Sequence, residues 1–130
     1  MALNNTLLTN FLDEFNIHYQ EDDESVSFEY DGRVFLGAIR QLPVFDGALN
    51  LMLPKIQEIS TAETEQYLKI INKLNYEAVV VKYMLDEEYN VIDVIAEVPL
   101  DSSPELDDLV PGLIKLLLEA HNQFNAALQQ

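Results

Sequence analysis

Hydrophobic side chains recur along this chain with two periods, and the switches between them mark out helices and strands. Leu7, Leu8, Phe11, Leu12 and Phe15 fall on one face at helical spacing. This predicts a first helix capped by Asn4 or Asn5 and ended by Asn16. Ile17 to Gln20 reads as a short strand, and Glu21-Asp22-Asp23-Glu24 as an acidic turn. Ser25 to Tyr30 then alternates strictly, Asp31-Gly32 follows, and Arg33 to Ile39 resumes the strand. That dipeptide is preferred in two-residue type I′ hairpins because both positions need positive φ. The hairpin it predicts pairs Tyr30 with Arg33 and Phe28 with Phe35, placing Val26, Phe28, Phe35 and Ile39 on one face. Leu42 to Gly47 reads as a loop, and Ala48 to Leu53 as a further strand ended by Pro54.

Ser60 and Glu63 have the spacing of a capping box ahead of a second helical period. Tyr67, Ile70, Ile71 and Leu74 form its apolar stripe, and Asn75 is expected to close it. A second hairpin follows, Ala78 to Leu85 and Asn90 to Leu100, turning over Asp86 to Tyr89. Pairing Leu85 with Asn90 sets Tyr83 opposite Ile92, Val81 opposite Val94 and Val79 opposite Ala96, with Lys82 opposite Asp93 behind them. Ser103-Pro104 is expected to start a long last helix, along which Leu106, Leu109, Val110, Leu113, Leu117, Phe124 and Leu128 make the stripe. Pro111-Gly112 is expected to kink or divide it. The order is helix, three or four strands, helix, two strands, helix (α-β-β-β-α-β-β-α). It predicts an α+β fold with helices packed on an antiparallel sheet.

Composition narrows the function. The 130 residues suit a single domain spanning 1–130, and 48% of them are hydrophobic. A packed core is therefore expected in spite of a net charge of −16, from 23 Asp and Glu against 7 Lys and Arg. Phosphate backbones and anionic lipid select clustered Lys and Arg, so neither nucleic acid nor membrane is an expected partner. The charge favours solubility, a basic partner or loose attraction of divalent cations. The chain has no cysteine, which excludes disulfides and thiolate chemistry. Met1 to Phe15 has no Lys or Arg and lacks a signal-peptide pattern, so a cytoplasmic location is expected.

No constellation of catalytic residues emerges. His18 and His121 are the two histidines, and neither has a second His at metal-ligand spacing or a nucleophile motif nearby. Asp86, Glu88, Asn90 and Glu97 echo a calcium loop, but Val91 stands where the sharp turn needs glycine. The glycines at 32, 37, 47 and 112 fit no phosphate-binding spacing. The expectation is a protein that is not an enzyme and uses no cofactor.

Apolar residues on the outward face of the second hairpin are less easily assigned to structure alone. Val80, Met84, Val91 and Ile95 share that face with Lys82, Asp93 and Glu97, where a water-facing sheet should be polar. Either a helix or loop covers them, or they form a dimer or partner interface together with Leu116, which flanks the stripe of the last helix.

Tyr30-Asp31-Gly32-Arg33-Val34-Phe35, Ile71-Asn72-Lys73-Leu74-Asn75 and Lys82-Tyr83-Met84-Leu85-Asp86, with the leucine-rich helix Leu106 to Phe124, resemble the YbjN-like family of small bacterial proteins. That family has the fold of type III secretion chaperones (Tir chaperone-like). The resemblance implies a non-enzymatic, often dimeric, cytoplasmic protein. It also implies binding of extended client segments on apolar grooves, or a sensory-regulator role. Pro111-Gly112 departs from the pattern. The leading expectation is thus an acidic protein-binding module, a homodimer holding a partner segment on apolar surface. The alternative is a charge-driven binder of a basic partner or divalent cations.

Overall fold

The computed structural model describes residues 3–88 and 90–129. Its elements are α1 (Asn5–Glu14), β1 (Tyr19–Glu21), β2 (Val26–Tyr30), β3 (Arg33–Arg40), β4 (Gly47–Glu58), a 3-10 turn (Thr61–Glu63), α2 (Thr64–Glu77), β5 (Val81–Leu85), β6 (Val91–Leu100) and α3 (Leu106–Leu128). The strands form one six-stranded antiparallel sheet in the order β1-β2-β3-β4-β6-β5. This is the expected α+β architecture, with four strands preceding α2. No helix among the described residues is long and apolar enough to cross a membrane.

The first hairpin has the predicted register, Tyr30 opposite Arg33 and Phe28 opposite Phe35. Asp31 and Gly32 take φ of 51° and 76°, as a type I′ turn requires. Phe28 and Phe35 stack at 5.7 Å between ring centroids. Asn4 caps α1 by accepting from the Thr6 N–H, and Asn16 ends it in the left-handed region, φ 56°. Asn5 instead ties α1 to the sheet, accepting from the Ile39 N–H at 2.6 Å and donating to the Glu24 carbonyl at 3.1 Å. Gly37 permits this approach, since a Cβ there would lie 2.8 Å from Leu8 Cδ2.

Phe28, Phe35, Leu49, Leu51, Leu53, Ile92, Val94 and Ala96 line one sheet face and are fully or almost fully buried. The helices pack on it through Leu8 and Leu12 of α1, Tyr67 and Ile71 of α2, and Val110, Leu117 and Phe124 of α3. Phe124 stacks on both Tyr67 and Tyr83. The Tyr83 hydroxyl donates to the Ala120 carbonyl at 2.7 Å, and burial, then the Glu119 charge, push it up to about 12.

Five local expectations are corrected. Pro54 does not end its strand. β4 runs on to Glu58 through a bulge between Leu53 and Gln57, in which Lys55 adopts φ 54° and donates its N–H to Asp93 Oδ1 at 2.7 Å. The bulge absorbs the N–H that proline lacks, and a nearly buried carboxylate completes it. Asn75 does not close α2, which continues to Glu77. Its amide instead accepts from the Tyr83 N–H at 2.7 Å and donates to the Tyr83 carbonyl at 2.9 Å.

The second hairpin is displaced by two residues, pairing Leu85 with Ile92, Tyr83 with Val94 and Val81 with Ala96. Lys82 therefore faces Ile95 rather than Asp93. Asp86 widens the turn by accepting from both the Asn90 and Val91 N–H groups, so this carboxylate serves the backbone. Finally, α3 starts at Leu106 after Glu105, not at Pro104, and passes Pro111 as one helix. The carbonyl that loses its partner there belongs to Asp107, which is exposed and open to water.

Candidate functional site

Because a strand alternates its side chains, the helices on one face leave the other defined by the intervening residues. The register aligns Gln20, Ser27, Leu36, Met52, Ile95 and Lys82 as one row across all six strands. Three neighbouring members, Leu36, Met52 and Ile95, are apolar and half-buried. At roughly 4.8 Å between strands, they make a floor about 10 Å wide. A second row, Ala38, Asn50 and Glu97, lies beside it. No helix among the described residues packs on this face.

The floor is concave. The acidic turn borders it, and Asp23, Glu24, Leu36, Met52, Ile95 and Glu97 line a hollow of 570 Å³. Asp22 is the structural member of the turn. Its carboxylate accepts from the N–H groups of Glu24 and Ser25 and from the Ser25 hydroxyl. Those bonds, the Glu24 N–H first, hold it below the usual carboxylate range. Asp23 and Glu24 make no such side-chain bonds among the described residues, so their charges project from the turn. Arg40 is the guanidinium on the hollow's lining. The nearby ammonium, Lys82, is engaged elsewhere, donating to the Ala78 carbonyl at 3.2 Å just past the end of α2. Asn50 Oδ1 is buried on this side without a hydrogen-bond donor.

Of the residues singled out from sequence, Met84, Val91 and Ile95 lie half-buried on this open face. Val80 does not join them. It precedes β5 with φ 74° and is 42% exposed, next to exposed Val79. Leu116 is exposed on α3, which packs against the opposite face, so it too is separate. Sequence reasoning missed Leu36, Met52 and Asn50. Alternation gives each an outward direction, but no local signal reveals that β4 sits between β3 and β6.

The two histidines are not brought together: His18 lies at the β1 margin of the open face with Gln20, Ser27, Glu29 and Val34, and His121 belongs to α3 on the opposite face. His18 is exposed beside β1. His121 Nδ1 lies 3.0 Å from the Arg33 guanidinium, and burial, then the Arg33 charge, hold it below the ordinary histidine value. No group of three or more His, Asp or Glu among the described residues is arranged to hold a metal ion.

No family model and no curated protein matches the chain. Solved structures do match its fold. The crystal structure of YbjN from E. coli, described as a candidate transcription regulator, aligns with a TM-score of 0.68 and 14% identity over 93% of this chain and 90% of that one. An uncharacterized protein from Methanothermobacter thermautotrophicus aligns with a TM-score of 0.61 and 17% identity over 96% of each chain. The chain has a YbjN-like fold.

Proposed function

We propose that this protein is a non-enzymatic protein-binding module that holds a partner segment on the open face of its sheet. The observation that supports this best is the uncovered apolar row of Leu36, Met52 and Ile95, set in a hollow bordered by charge. Water-facing sheet surfaces are ordinarily polar, and a rimmed apolar patch is the usual form of an interaction site. A regulatory role like that described for YbjN fits a protein acting through protein contacts. Direct contact with nucleic acid is opposed by the net charge of −16. Self-association is a second way to cover the row, giving a homodimer.

Photo-crosslinking tests both. A benzoylphenylalanine at position 52, introduced in the native cell, should crosslink to one discrete protein or to a second copy, whereas the same group at position 107 should not. Light scattering on the wild type and Ile95→Asp separates the two cases, since a dimer through this face dissociates in the variant. Equal crosslinking from 52 and 107, or none from 52, would remove the open face as a binding surface.

A further inference from the structure

We infer that the segment held on the open face is cationic and extended, with Lys or Arg alternating with apolar side chains. This rests on the reading of that face as a binding surface and adds the chemistry of the occupant. Charge carries the argument. The hollow adjoins a second, of 670 Å³, through shared Asp23, Glu24 and Arg40, and the second continues over the acidic turn past Glu21 to the start of α1. The two make a track rather than a cup. A chain extended at about 3.3 Å per residue can follow such a track. Along it stand five carboxylates, Glu21, Asp22, Asp23, Glu24 and Glu97, against one guanidinium. The one ion pair among the described residues, Lys69 with Glu65, is on α2 and neutralises none of them.

The apolar floor gives these charges a direction. Carboxylates beside low-dielectric surface attract a counter-charge more strongly than those surrounded by water. An extended segment presents alternate residues to opposite sides. One set meets Leu36, Met52 and Ile95, while the other reaches Asp23, Glu24 and Glu97 at the rim. An acidic or phosphate-bearing partner would meet the same rim with like charge.

The test uses a fluorescein-labelled seven-residue peptide alternating lysine with valine and leucine, read by fluorescence anisotropy. Two matched peptides replace its lysines with glutamine or its apolar residues with serine. The rim variant is Asp23→Asn/Glu24→Gln/Glu97→Gln. The control, Glu14→Gln/Asp107→Asn/Asp108→Asn, removes equal charge from the helix side. The parent peptide should bind wild type and control within about twofold of each other and the rim variant about tenfold more weakly, and both matched peptides should lose about tenfold. Equal weakening in the two variants would mean attraction to overall charge and would overturn the inference. So would a glutamine peptide binding as well as the lysine peptide, or no binding by any peptide. In those cases crosslinking from position 52 still decides independently whether the face binds a partner.

Discussion

Replacing Asn75 tests whether one side chain stands in for a missing strand. Tyr83 lies on β5, an edge of the sheet, and its N–H and carbonyl both bond the Asn75 amide, at 2.7 and 2.9 Å. A seventh strand would make the same two kinds of bond. Each such bond is worth about 1 kcal/mol net, so Asn75→Ala should cost about 2 kcal/mol. With an unfolding entropy of roughly 2.1 cal/mol/K per residue, a chain of 130 residues loses about 7 °C in Tm for that change. Asn75→Asp is the sharper variant. It keeps the acceptor for the Tyr83 N–H but sets a carboxylate against the Tyr83 carbonyl, so its loss should equal or exceed that of alanine.

Thermal unfolding measures the size, and native-state hydrogen exchange locates it. The Tyr83 amide should lose protection in Asn75→Ala, while amides in the middle of β4 keep theirs. A Tm drop below about 2 °C, or an unchanged Tyr83 exchange rate, would refute the assignment of Asn75 as an edge cover. The freed edge should also associate, so the variant's apparent mass in light scattering should rise with concentration.

Two further outcomes follow from buried polar groups. Asn50 Oδ1 is buried without a donor, a loss of about 1–3 kcal/mol, so Asn50→Leu should raise Tm by several degrees in calorimetry; no gain would mean that the oxygen is satisfied in solution. His121 sits below its ordinary value of 6.5 in the folded state, through burial first and the Arg33 charge second. The unfolded chain therefore binds the proton more readily, and stability is full above 6.5 and falls as pH drops through it. Arg33→Met should make that fall shallower and His121→Phe should remove it, as read by urea unfolding at about pH 7.5 and 5.5.

The two hairpins show what local sequence determines. In the first, Asp31-Gly32 admits one turn type, and the turn fixes every pair from Tyr30–Arg33 to Val26–Gly37. In the second, the turn is longer and Asp86 closes it with its side chain, so the expected register is wrong by two residues. Side chains alternate with period two, and such a slip exchanges neighbours without exchanging faces. Val81, Tyr83, Ile92, Val94 and Ala96 are buried as their faces predict, but Lys82 and Asp93 part. Asp93 serves the Lys55 N–H in the bulge of β4 instead, which is how Pro54 is carried inside a strand. That contact joins residues 38 positions apart, and no local pattern contains it. Leu36 and Met52, which complete the row with Ile95, escaped notice for the same reason.

The edges of the sheet decide how an extended partner can bind. Many proteins take up such segments by strand addition, which needs a free edge. Here β1 is only three residues long, a poor template. β5 is the other edge, and Asn75 already fills the hydrogen-bonding positions of Tyr83 at its centre. With both edges blunted, a segment gains little from backbone pairing and must bind through its side chains across the open face. Specificity then falls on what that face offers, an apolar floor and a rim of one sign. An Asn75 variant inverts this expectation. If strand addition were the native mode, freeing the β5 edge would strengthen binding of the lysine-bearing peptide; with the open face as the site, its affinity should stay within about twofold of wild type.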